Sequence, residues 1–100
     1  MNLIERNIEM IKRLCQKHKV RKLFVFGSIL SNNFHDKSDV DFVVDFEKVD
    51  LNDYADNYFD LKTALEKLLK RPVDLLENQA IHNPFLKQSI DSTKKLVYGF

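Results

Sequence analysis

The chain has 100 residues, of which 44% are hydrophobic and 31% charged, with only 2 Gly, 2 Pro and 1 Cys. That length and composition suit a single folded domain spanning residues 1–100 and exclude a low-complexity or collagen-like chain. The lone Cys15 excludes an internal disulfide and a cysteine-based zinc site, and no apolar run approaches the ~18 residues of a membrane span, so a reducing, cytoplasmic setting is expected.

The net charge of +1 hides a segregation. Residues 1–37 hold eight basic and three acidic side chains, residues 38–60 hold one basic and eight acidic, and residues 61–100 hold seven basic and four acidic. Overall neutrality disfavours a nonspecific nucleic-acid binder, which is usually a basic domain. An acidic centre between basic flanks suits a divalent cation.

In chain order, Ile4, Ile8, Ile11, Leu14 and Cys15 recur at spacings of three and four, predicting one amphipathic helix from Asn2 to about Lys17, with Asn2 and Glu5 close to a capping box. Leu23 to Phe26 is a short apolar run that reads as a strand buried on both faces. Gly27-Ser28 follows it directly, and Ile29 to Asn33 can begin a helical turn, an arrangement that can present backbone N–H groups to phosphate. Taken alone, the dipeptide fits a plain turn as well.

Val40 to Phe46 reads as a second strand, with Val40, Phe42, Val44 and Phe46 on a core face and Asp39, Asp41, Val43 and Asp45 on an acidic one. Asp39 and Asp41 therefore project the same way, ~6 to 7 Å apart, and oxygen-only ligands select hard cations such as Mg²⁺ or Mn²⁺. Asp45, near the strand's end, suits a loop or capping role. A second helix is expected from Asn52 or Asp53 to Lys70, with Leu51, Ala55, Tyr58, Leu61, Leu65 and Leu68 as its stripe and Arg71-Pro72 as its stop. Tyr54, Tyr58 and Phe59 read first as packing residues.

Val73 to Leu76 is a third short strand, and Asp74 within it is a carboxylate in an otherwise apolar run. Packing it beside Asp39 and Asp41 is costly unless a cation or a raised pKa relieves the repulsion. Asn83-Pro84 predicts the N-cap and first turn of a last helix through about Val97, ended by Gly99. His18, His35 and His82 lack metal-ligand spacing and read as surface residues, while Cys15 reads as an inert core thiol. Alternating helices and strands predict an α/β (α+β) fold with a small mixed sheet flanked by helices.

Gly27-Ser28, ten intervening residues, Asp39-Val40-Asp41 and the later Asp74 together resemble the nucleotidyltransferase signature of the DNA polymerase β superfamily. The small size resembles its minimal members, the antitoxins paired with HEPN proteins. The resemblance implies a polymerase β palm-like fold and transfer of a nucleoside monophosphate, AMP from ATP, to a hydroxyl of a HEPN-domain partner. It implies that Gly27 and Ser28 hold the β/γ-phosphates and that Ser38 also contacts the nucleotide. Asp39 and Asp41 then bind two Mg²⁺ ions, with Mn²⁺ as an alternative, while Asp74 binds the catalytic metal and helps deprotonate the acceptor. All three carboxylates are thus both catalytic and metal-binding. Templated nucleic-acid synthesis and membrane association are not expected, and the oligomeric state is left open. Relatives carry an arginine shortly after Gly-Ser where this chain has Leu30, Ser31 and Asn32, so Lys37 or another basic residue must compensate. A noncatalytic module that neutralises its partner by binding is the rival expectation.

Overall fold

A computed structural model of the chain describes residues 2–31, 34–35 and 38–99. The elements are α1 (Asn2–Arg6), α2 (Ile8–Lys17), β1 (Val20–Phe26), a 3₁₀ turn (Gly27–Leu30), β2 (Val40–Phe46), α3 (Leu51–Leu69), β3 (Val73–Glu77), a second 3₁₀ turn (Asn78–Ala80), α4 (Pro84–Thr93) and β4 (Lys95–Tyr98).

The strands form one mixed sheet in the order β3-β2-β1-β4. β1 pairs antiparallel with β2 and with β4, while β2 and β3 run parallel, joined by α3 as their crossover. Alternation assigns the two faces. Leu23 and Val25 of β1, Val40, Phe42 and Val44 of β2, and Val73 and Leu75 of β3 are buried in one cluster with Ile4, Ile11 and Cys15 from the N-terminal helices and Leu61, Leu65 and Leu69 from α3. Each of these leucines contributes roughly 1.5–3 kcal/mol by leaving water. The opposite face carries Phe24, Asp41, Val43 and Asp74. Val43 and Ile90 are buried apart from the main cluster, and Lys94 Nζ lies 4.3 Å from the Phe24 ring centroid, so the C-terminal end of α4 meets this second face.

The long first helix is broken at Asn7, whose Nδ2 donates to Leu3 O (2.8 Å) while its backbone N–H turns to Ile4 O (3.1 Å). A side chain that takes a carbonyl of the preceding turn competes with the helix there. The capping role expected of the Asn2 side chain lies outside what is described. β1 is buried on one face only, since Lys22, Phe24 and Phe26 are half-exposed. Helix α3 begins at Leu51, which is 92% exposed rather than part of the stripe. A 19-residue helix runs ~28 Å against ~23 Å for a seven-residue strand, so its first turn overshoots the sheet. Tyr54 and Tyr58 are half-buried as packing residues, whereas Phe59 is mostly exposed. His18 is buried, not at the surface: its Nδ1 donates to Leu14 O (2.8 Å), and its carbonyl accepts from Asn57 Nδ2 (2.7 Å).

Asn83 caps α4 as its sequence position suggests, its Oδ1 accepting from Phe85 N and Leu86 N. The helix, however, stops at Thr93 and not near Val97. Ser92 Oγ and Thr93 Oγ1 both donate to Ser89 O (3.0 and 2.8 Å), and Lys94 turns to an extended conformation. Lys95 to Tyr98 then forms the edge strand β4, which buries Val97.

Candidate active site

The site is built where β1 ends, at the same level as the first residues of β2 and β3. Gly27 opens the 3₁₀ turn with φ +79°, a left-handed backbone that glycine adopts without strain. A Cβ there would overlap Asp41 Oδ2, so the absence of a side chain leaves room for the carboxylate. Ser28 is half-buried in the turn, and its carbonyl accepts from Ser31 N (3.0 Å) and Ser31 Oγ (2.9 Å).

The register places Asp41 beside Phe26 on one side and directly beside Asp74 on the other. Asp39 precedes the strand and is exposed, Asp41 is half-buried, and Asp74 is exposed. Burial, then the charges of Asp74 and Asp39, push the Asp41 carboxyl above its ordinary range. The charges of Asp74, set beside Asp41 by register, and of Asp39, just ahead of the strand, therefore both act on Asp41. Asp45 stands apart from them: it lies within β2 and pairs with Arg21 Nη2 at 2.7 Å instead of serving a loop or cap.

Ser38 sits just ahead of this cluster. Its Oγ accepts from His35 N (3.1 Å), and its N–H donates to His35 O (2.9 Å), so its hydroxyl takes part in the turn that delivers Asp39. Arg71 Nη1 reaches the same turn and donates to His35 O (3.1 Å) and Ser38 O (3.3 Å), with the guanidinium 4.6 Å from the Phe34 ring centroid. In the sequence Arg71 belongs to the helix stop and to the segment that leads into Asp74; its reach to His35 and Ser38 is decided by the fold. Lys37, the expected compensating cation, lies outside the described residues.

Two contacts close the outer edge of β3. Val73 N donates to Glu66 Oε2 (3.0 Å), and Tyr58 Oη donates to Leu75 O, so α3 side chains satisfy strand groups that no fifth strand pairs. Burial and the Asp74 and Glu77 carboxylates raise the Tyr58 phenol pKa.

Among the described residues, no three His, Cys, Asp or Glu side chains are already converged as a metal-ligand group. The donor set nevertheless fits a hard divalent cation. All the donors are carboxylate oxygens, Asp41 carries the repulsion of both neighbours, and Mg²⁺ takes one or two carboxylates together with waters and substrate phosphates rather than a complete protein cage.

The profile of the polymerase β nucleotidyltransferase family matches residues 9–99. A Methanocaldococcus jannaschii protein named as a candidate protein adenylyltransferase is 36% identical over 87 residues, covering 87% of this chain and 84% of the relative. A second from the same organism, similarly named, is 39% identical with the same coverage. A solved structure described as a candidate minimal nucleotidyltransferase has a TM-score of 0.75 at 27% identity, covering 91% of this chain and 89% of that one. The fold is also that of the MNT antitoxin in a Shewanella oneidensis complex with a tri-AMPylated HEPN toxin, with a TM-score of 0.67 at 21% identity over 97% of this chain and 73% of that one. Another toxin–antitoxin structure, with AMP-PNP, has a TM-score of 0.72 at 24% identity, covering 94% and 74%. Among the described residues, no helix is long and apolar enough to cross a membrane.

Proposed function

We infer, for a chain that belongs to the polymerase β nucleotidyltransferase family, that it is a divalent-metal-dependent protein adenylyltransferase acting as the antitoxin of a HEPN-domain partner. The observation that carries this reading is the pairing of Asp41 with Asp74 on parallel strands, with Asp39 two residues upstream and Gly27 opening space at the Asp41 carboxylate. The toxin–antitoxin likeness supports the choice of partner, and the names of the relatives support protein as the acceptor.

In this reading, ATP lies with its β/γ-phosphates against Gly27 and Ser28, and Ser38 also contacts the nucleotide. Asp39 and Asp41 would hold Mg²⁺ through their carboxylate oxygens, with Asp74 completing the set. Mg²⁺ bound there would supply Lewis-acid polarisation and charge neutralisation. Asp74 accepts the acceptor hydroxyl's proton as that oxygen forms its bond to the α-phosphorus. The bond to the bridging oxygen breaks, and pyrophosphate leaves with the electron pair. The protein contributes chiefly position and field, as in other phosphoryl-type transfers.

Incubation with α-labelled ATP, Mg²⁺ and a HEPN partner tests this directly. Label should pass to the partner and disappear with Asp41→Asn, which removes a ligand at constant volume and leaves the thermal midpoint in place. An Asp41→Asn protein that still transfers label would sink the proposal. One that transfers nothing yet still neutralises the partner would favour action by binding alone.

A further inference from the structure

We propose that Arg71 is a positioning residue for the carboxylate set, tying the turn that ends at Asp39 to the segment that carries Asp74; this rests on the nucleotidyltransferase reading above. Arg71 stands at a sharp junction. Lys70 closes α3 with φ 58°, and Pro72 follows, biasing Arg71 toward extended backbone. From there its Nη1 donates to two carbonyls of one turn, His35 O at 3.1 Å and Ser38 O at 3.3 Å. Ser38 N donates to His35 O and His35 N donates to Ser38 Oγ, so the two carbonyls that Arg71 holds belong to residues already bonded to each other.

The ties between the two segments then follow in order. Arg71 grips Ser38, Pro72 O accepts from Val40 N (3.1 Å), and Asp74 pairs with Asp41. Asp39 lies between the first tie and the second. Loss of the Arg71 tie leaves it just beyond the last strand hydrogen bond, where backbone frays, while Asp41 and Asp74 stay fixed by the ladder. Arginine suits this place and lysine does not. Nη1 alone donates to both carbonyls while the guanidinium plane lies over the Phe34 ring, and an ammonium, able to donate, has no such face to stack. The buried Nε finds no hydrogen-bond partner, so the guanidinium's described bonds all run through Nη1 to the turn.

The test uses the full chain, with Mn²⁺ as the metal probe. Amide exchange at Asp39 and Val40 is followed by NMR without metal, and Mn²⁺ affinity by water-proton relaxation, in wild type and Arg71→Lys. Faster exchange together with a roughly tenfold or greater loss of Mn²⁺ affinity is the expected result, the range seen when groups that orient metal ligands are removed. Unchanged exchange overturns the tie, and faster exchange with Mn²⁺ affinity within twofold of wild type overturns the positioning role. Should Arg71→Lys not fold, Phe34→Leu decides: it removes the stacking ring, keeps both hydrogen bonds and should lower Mn²⁺ affinity in the same direction by less, while no loss overturns the proposal. A wild-type protein that binds no Mn²⁺ overturns the metal-site reading itself, a result visible before any substitution is made.

Discussion

The Asp41 carboxylate occupies the space that a side chain on Gly27 would need, so the residue that follows β1 and the first acidic residue of β2 are sterically interdependent. Gly27→Ala should accordingly damage the site and the fold together. Its φ of +79° is strained for alanine, and the new methyl displaces the carboxylate. We expect a stability loss of about 1–3 kcal/mol by urea denaturation and loss of ATP binding by calorimetry. Asp41→Gly in the same background relieves the overlap but not the strain, so it should recover only part of the stability and none of the binding.

The free edge of β3 gives a second expectation. Tyr58→Phe removes the hydroxyl that donates to Leu75 O and leaves the carbonyl of that buried residue without this partner. A loss of about 1 kcal/mol is expected, read as a lower urea midpoint at unchanged slope. A slope change would instead indicate that the edge strand detaches before the rest unfolds.

Cys15 provides a pH dependence whose sign is fixed. The thiol is fully buried, and burial pushes its pKa from 9.0 to about 12. The neutral form is therefore favoured in the folded chain, and the resulting stability is complete below pH 9 and lost as pH rises toward 12, by at most ~1.4 kcal/mol per unit. Native protein at pH 8 should resist a disulfide exchange reagent and react fully after addition of denaturant. Rapid reaction of the native thiol would contradict its burial.

Local chemistry made much of this legible before any tertiary information. The alternation of Val40, Phe42 and Val44 with Asp41 and Asp45 set the faces of β2, because a strand with one buried side must read that way. The Leu61 and Leu65 spacing set α3, Asn83-Pro84 set the start of α4, and Gly27, Asp39, Asp41 and Asp74 marked a candidate site by residue type and separation. What the strand and helix signals share is that one segment carries the whole message.

The remainder depended on pairing between distant segments. β4 was unreadable as a strand because four residues with two exposed positions carry almost no period, and the partners that complete their hydrogen bonds lie on β1. Leu51 fits the α3 stripe by spacing yet is 92% exposed at the first residue of the helix, while the buried residues of α3 begin at Leu61. The pairing of Asp41 with Asp74 and the reach of Arg71 to His35 and Ser38 are matters of register and close approach. Periodicity in a chain states which face each residue takes; only the packed sheet decides which residue stands opposite it.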